Sequence, residues 1–432
     1  MTQPVSGSGL IHGLSIESTS SRVTLDFKSI FTEISYYESL NSPSTSMTIS
    51  VADAVSLKSS LPIIGGETVR FSFSDSEPES NRISGRMQVY KLSGLNRIQQ
   101  SVDTYDLFLT TPEMLRDSYE IVESSYKNKN IDSMLNEIFQ SYIQKISNKK
   151  IVTVEPTDGL YTTTFARISP FTALTHLADE AKSKNGRSSS NYFFFETSKG
   201  YTFASFQYLM RQPVKKIYYY LQDRIPGDVQ FDRNRITALE EPVGFDLISG
   251  VVEGQFATQV LTLDPVAKRF RRSDYLYNRD FSSIERSNQY PRLAPETSQR
   301  FGSSPSREKF IVSNSYRGSI PFVSENESDT QNVFRRRQDF LARETSLNGE
   351  LFSNVTKILV HGDSSLSAGD TIYIQIPKGG ESSITERQMD GFTGGKYLIT
   401  ALCHRFSPGA TTYVTAIECV KDAYSQPVDG RQ

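Results

Sequence analysis

The sequence predicts a mainly β protein with an α+β insertion. Two observations lead there: apolar residues alternate with a period of two near both ends of the chain, and the period lengthens to three and four in between. A third is aromatic usage, 26 Phe and 22 Tyr with no Trp, which favours residues that fill the faces of sheets.

From Leu10 to Thr110 strands follow one another. In SRVTLDF (Ser21 to Phe27) Val23, Leu25 and Phe27 share a side, as a half-buried strand requires. SMTISV (Ser46 to Val51) repeats the pattern, as does ETVRFSFSD with Val69, Phe71 and Phe73 on one face. Further strands are expected at Gly85 to Leu92 and Thr104 to Thr110. Turn chemistry separates these runs at Asn41 to Pro43, at Gly65 and Gly66, and through the polar stretch from Ser74 to Asn81. A helical turn is expected at Ala52 to Ser59, stopped by Pro62. GSGLIHG (Gly7 to Gly13) has one residue too many for a dinucleotide fingerprint and reads as a flexible start.

Past Pro112 the period changes. In NIDSMLNEIFQSYI the residues Ile131, Met134, Leu135, Ile138, Phe139, Tyr142 and Ile143 form one stripe of an amphipathic helix. A second helix is expected in SPFTALTHLADEAK, with Ser169 as N-cap, Pro170 in the first turn, and Phe171, Leu174, Leu177 and Ala181 buried. NYFFFETSKGYTFASFQYLM (Asn191 to Met210) then places two aromatic runs about a polar turn. Phe193, Phe195, Tyr201, Phe203 and Phe206 either line a groove or form the buried side of a small sheet. Two helices need a surface to pack on, which favours core.

The chain returns to strand-like sequence at Ile217 to Leu221 and in GVVEGQFATQVLTLD (Gly250 to Asp264). From Pro265 to Ser324 it is polar and irregular and offers no legible core. Thr330 to Gly349 reads as a helix, Val333, Phe334, Phe340 and Leu341 sharing a side and Gly349 ending it. Strands resume at Leu351 to Val360, Asp370 to Ile376, Lys396 to Phe406 and Thr411 to Val420, so the end of the chain mirrors its start. Cys403 and Cys419 fall in adjacent strands without metal-ligand spacing, and read as buried free thiols rather than a disulfide.

With 47 Lys and Arg against 49 Asp and Glu, the formal charge is −2 and no global field recruits nucleic acid or an acidic membrane. No apolar run approaches the roughly 20 residues that span a bilayer, so no membrane insertion is expected. MTQPVSGSG has no signal-peptide pattern, which leads to an expectation of cytoplasmic synthesis and assembly. GFTGGK (Gly391 to Lys396) is one residue short of a phosphate loop and reads as a turn. His12, His176, His361 and His404 lack metal-ligand spacing, and no GxSxG elbow occurs. No catalytic, cofactor or metal residue is assigned. Two basic clusters stand out, KRFRR (Lys268 to Arg272) and Arg335 to Arg337, in a stretch from Pro265 to Thr345 with 15 basic and 10 acidic residues. A solvated face is the plain reading. The sharper one makes Arg271, Arg272, Arg335, Arg336 and Arg337 an interface or channel lining facing an acidic partner or passing nucleic acid.

Several segments together resemble one family, the baseplate hub proteins of contractile-tailed bacteriophages, related to the hub part of type VI secretion spike proteins. LPIIGGETVRFSF (Leu61 to Phe73) is similar to a segment of the family's first tube-like barrel, and the aromatic hairpin at 191–210 to its hub signature. GQFATQVLTLDPVAKRF, followed by Tyr275 and Tyr277, resembles the opening of the second barrel. VHGDSSLSAGDTIYIQIP (Val360 to Pro377) and GKYLITALCHRFSPGATTYVTAIECVKDAY (Gly395 to Tyr424) resemble its later strands and closing hairpin. The segments occur in the family's order and span most of the chain, with Pro265 to Ser324 poorly matched.

The resemblance implies two tube-like antiparallel β-barrels in one chain. Residues 1–112 would form the first, 212–264 with 350–432 the second, 113–211 an inserted α/β domain, and 265–349 a polar insertion ending in a helix. It further implies a non-enzymatic homotrimer whose six barrels make a pseudo-sixfold ring. That ring would adapt the hexameric tail tube, or its initiator, to the trimeric central spike, amid the baseplate wedge proteins of the virion. Its axial channel would pass the tape measure and viral DNA. No wall-cleaving domain is expected after the last strand, so lysis of cell wall would fall to another protein. A β-rich glycan hydrolase, whose carboxylate pair is set by fold rather than spacing, and a carbohydrate-binding tail adhesin are the alternatives.

Overall fold

The protein is described from a computed structural model, for residues 7–19, 23–26, 28–54, 61, 63–76, 81–99, 102–145, 147–185, 191–220, 233–240, 246–265, 268–312, 341–351, 355–378, 390–408 and 412–427. It is mainly β. The N-terminal strands are β1 (Gly9–Glu17), β2 (Thr24–Asp26), β3 (Phe31–Ser39), β4 (Ser46–Asp53), β5 (Thr68–Asp75), β6 (Ile83–Gln99) and β7 (Val102–Thr110). Alternation drives them as expected: Val69, Phe71 and Phe73 are buried together with Met47, Ile49 and Val51 in one core. The helical turn expected at Ala52 to Ser59 lies largely outside the described residues, and Ala52 and Asp53 end β4. GSGLIHG is not a loose start, since it enters β1 at Gly9. A Cβ there would stand 2.6 Å from Phe406 and from Tyr413, so only glycine lets those rings pack against the strand.

Between the β-rich ends lies a stretch of helices and two small sheets. It comprises α1 (Pro112–Asp117), β8 (Val122–Lys129), α2 (Ile131–Ile138), β9 (Ile151–Val154), β10 (Tyr161–Ile168), α3 (Pro170–Glu180), β11 (Tyr192–Thr197), β12 (Gly200–Ser205) and α4 (Phe206–Arg211). Ser169 caps α3 by accepting from the Thr172 amide, and Phe171, Leu174, Leu177 and Ala181 are buried. The stripe read as one helix is α2 continued by a π-helical turn over Phe139–Ile143, which keeps Phe139 and Ile143 inside. The hairpin β11–β12 is buried on both faces. Tyr192, Phe194, Tyr201 and Phe203 meet α2 and α3, while Phe195, Ala204 and Phe206 join Leu40, Leu398 and Val420. Sequence reasoning placed Phe193, Phe195, Tyr201, Phe203 and Phe206 on one side. Strict alternation instead divides them, and the hairpin mortars the insertion to the main sheet.

Next come β13 (Lys216–Tyr219), β14 (Ile236–Glu240), α5 (Leu247–Glu253), β15 (Ala257–Asp264), β16 (Arg269–Leu276) and β17 (Arg307–Val312). The strand expected from Gly250 begins only at Ala257. Asp246 accepts from the Ser249 amide and Gly254 adopts φ 81°, capping a short helix at both ends. β15, the strand grouped with the second barrel, pairs antiparallel with β16 and parallel with β17 in a separate three-stranded sheet. The stretch from Pro265 to Ser324 thus carries ordered structure through Val312. Its core was illegible because sparse residues far apart in sequence, Phe256, Val260, Tyr275, Tyr277, Ile284, Leu293, Ala342 and Leu347, build it together. Residues 341–351 are helical past Gly349, where the missing side chain admits Gln255, whose Cβ would lie 2.9 Å away. Val333, Phe334 and Phe340 lie outside the described residues.

The last strands are β18 (Val355–His361), β19 (Thr371–Gln375), β20 (Gly395–Ser407) and β21 (Thr412–Val420). They do not form a sheet of their own. One 13-stranded sheet runs β14-β18-β21-β20-β3-β4-β7-β6-β5-β1-β2, with β19 on β20 and β13 on β19. β20 pairs with β19 through Leu398 and with β3 from Ala401, changing partner across an irregularity between Ile399 and Ala401. Two isolated bridges bring distant strands together: Ser8 with Thr412 joins β1 to β21, and Tyr219 with Arg235 joins β13 to the start of β14. Phe406 and Tyr413 belong to the N-terminal core, whereas Tyr397, Ile399, Leu402 and Ile417 belong to a second core with Tyr218, Ile358 and Ile374.

The two-sided burial of the hairpin sets an expectation. Phe194→Ala and Phe195→Ala should each cost about 3–5 kcal/mol in urea unfolding, and Phe193→Ala, only half-buried, clearly less. Equal costs at all three positions would contradict this packing.

Candidate functional site

The polar groups that matter most lie where the parts of the chain meet. Alternation puts Glu38 on the inward face of β3, in line with Ile34 and Tyr36. There its carboxylate accepts the Ser198 amide at 2.6 Å, the Ala368 amide at 3.0 Å and the Tyr36 hydroxyl at 3.3 Å. One side chain therefore holds the turn of the aromatic hairpin and the loop before β19 against β3. Burial pushes its pKa up to about 7, and the three hydrogen bonds, with Lys199 nearby, only partly oppose it.

Glu196, at the end of β11, makes a second joint. It accepts the Thr45 amide at 3.0 Å, tying the hairpin to the β3–β4 turn, and pairs with Lys149, whose ammonium also stands 3.6 Å from buried Glu113. Burial raises its pKa, with Lys149 the main opposing influence.

A third joint sits between the two cores. Asp363 pairs with Lys216 and accepts the Tyr218 hydroxyl at 3.1 Å, while its amide donates to Thr415 Oγ1 at 3.1 Å. Burial acts against the charge, but Lys216 and the Ser365 hydrogen bonds hold the carboxyl below its usual range. The next residue, Ser364, donates to Asp75 Oδ2 at 3.0 Å, reaching the end of β5. Buried His404 meets the Tyr413 hydroxyl at 2.8 Å, and burial lowers its pKa to about 4, so it is neutral at physiological pH. Its sequence neighbour Cys403 points to the partly exposed opposite face, and buried Cys419 donates to the Thr356 carbonyl at 3.4 Å; neither thiol is in a disulfide.

The fourth joint fastens the second insertion. Arg286 and Glu350, with side chains 4% and 1% exposed, form a forked pair, and Arg286 also donates to the Asp422 carbonyl at 2.8 Å. Asp422 in turn accepts the Ser287 and Asn288 amides at 2.6 and 3.2 Å. Burial works against the Arg286 charge, but Glu350 outweighs it and keeps the guanidinium firmly protonated. A cleft of about 250 Å³ opens beside these joints, lined by Asn41, Thr175, Asp179, Phe193, Glu344 and Asn348.

The basic clusters are not brought together among the described residues. Arg272 is exposed on β16 and donates to Gln259 Oε1 at 2.6 Å; Arg271 is its neighbour in that strand. Arg335, Arg336 and Arg337 lie outside the described residues. Sequence reasoning passed over the buried acids, although alternation offered a signal for two of them: Glu38 follows Ile34 and Tyr36, and Glu196 follows Tyr192 and Phe194, at every second position. Glu350 and Asp422 carry no such signal, because their partners come from a distant insertion.

No family model matches the sequence, and no curated protein matches it. Solved structures do. The chain superposes on the tail protein from Neisseria meningitidis MC58 with a TM-score of 0.55 at 9% identity, covering 96% of this chain and 98% of that one. It superposes equally, TM-score 0.55 at 10% identity, on the prophage MuSo2 43 kDa tail protein from Shewanella oneidensis, covering 95% and 99%. Over at least 95% of its length the chain therefore shares the fold of these two tail proteins.

Two measurements test these joints. Glu38 binds its proton more tightly folded than unfolded, so its contribution to stability is full below about pH 4.5 and is lost as pH rises through about 7. Relative to Glu38→Gln, the wild-type protein should lose on the order of 3 kcal/mol between pH 4.5 and pH 8 in urea unfolding, and a pH-independent difference would refute this. Arg286→Met should cost about 3 kcal/mol by leaving Glu350 without its nearest cation, and adding Glu350→Leu should recover most of that loss.

Proposed function

We propose that this protein is a non-enzymatic structural component of a phage tail, the hub of its baseplate. The single observation that carries the reading is the full-length fold shared with two tail proteins. It is supported by the ordered hub-like segments of the sequence, and by a sheet that serves two cores. In this reading β1, β3 to β7 and the distal halves of β20 and β21 make one tube-like barrel, with the Ser8–Thr412 bridge at its seam. β13, β14, β18, β19 and the proximal halves of the same two strands make the other, with the Tyr219–Arg235 bridge at its seam.

Three such chains present six barrels, which suits a ring that meets a hexameric tail tube on one side and a trimeric spike on the other. Its central hole would pass the tape measure and DNA. The buried joints serve this role by fixing the insertions rigidly on the barrels, so that a ring contact on one part positions all the others. Arg271, Arg272 and Arg335 to Arg337 remain candidates for contacts with neighbouring proteins or the channel contents. The virion baseplate is where the protein would act, after assembly in the host cytoplasm.

Light scattering and negative-stain imaging of the purified protein, alone and with a candidate spike, test the reading. A mass divisible by three and a threefold projection with a central hole are expected. A chain that stays monomeric with its spike would overturn it.

A further inference from the structure

The outer face of the three-stranded sheet β16-β15-β17 has a pattern that complements itself. Its other face packs inward, with Thr258, Val260 and Thr262 buried. The outer face follows from the register in rows across the three strands: Asp274–Gln259–Glu308, then Arg272–Leu261–Phe310, then Phe270–Leu263–Val312. Phe270, Phe310 and Val312 are 60%, 59% and 61% exposed, so five apolar side chains form a contiguous floor that no described residue covers. Gln259, itself buried, holds Arg272 through the 2.6 Å bond, and Lys268 is exposed in the turn that leads into β16. Large apolar residues aligned in adjacent rows mark an interaction surface rather than scattered exposure.

We propose that this face packs against the same face of a second copy of the chain. Sheets stacked face to face lie about 10 Å apart with strands nearly aligned. A two-fold axis between them, perpendicular to the strands, inverts the order of the rows and leaves each strand over its own copy. Arg272 then lies over the Phe270 ring, Leu261 over Leu263, and Phe310 over Val312. The turn bearing Lys268 comes over the row bearing Asp274. Each row finds a complement: guanidinium on an aromatic face, aliphatic on aliphatic, cation on carboxylate. The alternative axis, along the strands, would set Asp274 and Glu308 against their own row and is disfavoured by like charge. The contact is isologous, so it pairs copies two at a time whether or not threefold rings form. Paired rings would be hexamers of the free protein, not rings seated between tube and spike, and without rings the pair would be a dimer.

Light scattering on the full chain tests this. The wild-type mass is expected to be an even multiple of the protomer, and Phe270→Ser with Phe310→Ser should halve it with the far-ultraviolet circular dichroism unchanged. Lys268→Glu with Arg272→Glu should also halve it, as should Asp274→Lys with Glu308→Lys. Mixing these two charge-reversed proteins should restore the wild-type mass, because the two-fold sets one's acids over the other's bases. An odd or single-copy wild-type mass, a mass untouched by the serine variants, or failure of the mixture to re-associate would overturn the proposal. Because the variants leave the main sheet alone, loss of pairing with threefold symmetry retained separates this contact from ring formation.

Discussion

The structure depends on the backbone hydrogen bonding of one strand. β20 is 13 residues long and bonds on both edges: β21 lies along one side from Leu398 to Ser407, while the other side is shared between β19 and β3. At the irregularity after Ile399 the strand changes partner, and there the Thr400 carbonyl accepts the Leu40 amide at 2.8 Å. The Ile399 amide donates to the Asp370 carbonyl and its carbonyl accepts the Gly369 amide, so backbone bonding continues where the two halves meet. Side chains of the same strand then serve two cores, Tyr397 and Leu402 in one and Phe406 in the other. The halves cannot rotate against each other without breaking a ladder that both need.

Around this spine the insertions are attached by buried carboxylates. Glu38, Glu196, Asp363 and Asp422 each accept backbone amides or hydroxyls from segments far away in sequence. A carboxylate taken out of water costs several kcal/mol, which its partners largely offset. What it provides is geometry. An apolar contact tolerates sliding, whereas an amide aimed at a carboxylate oxygen does not, and the forked Arg286–Glu350 pair is stricter still. Two faces of the aromatic hairpin supply the area that binds the first insertion, and Glu38 and Glu196 at its ends set the position.

How much of this was legible follows from how local each signal is. Period-two alternation located β4, β5, β7, β18, β19, β20 and β21 because each buries one face and exposes the other. Ser169 and Pro170 marked the start of α3 because capping is decided within four residues. β3, the strand that joins the halves, was passed over: Tyr36 and Tyr37 are consecutive aromatics and Glu38 is an inward acid, which breaks the apolar-polar code. The second insertion failed for a different reason. Tyr275, Ile284 and Leu347 become neighbours only after the chain has folded across 72 residues, and no window of local sequence contains such a core. The joints are legible only in part for the same reason, since alternation can say that Glu38 points inward but not that Ser198 and Ala368 will meet it.

The same contrast bears on assembly. A strand shared by two cores makes the main sheet one rigid element, so any adjustment between partners has to be absorbed by what is attached to it. The attached parts are held through buried carboxylates, one hairpin, the isolated Tyr290–Tyr424 bridge and Arg292 rather than through long ladders, and the second of them carries an apolar sheet face that its own chain leaves uncovered among the described residues. The continuous main sheet and the exposed apolar face are thus separated along the sequence. Substitution on the exposed rows of β16 and β17 disturbs neither β20 nor the carboxylate joints, because Arg272, Phe270, Phe310 and Val312 touch neither core of the main sheet.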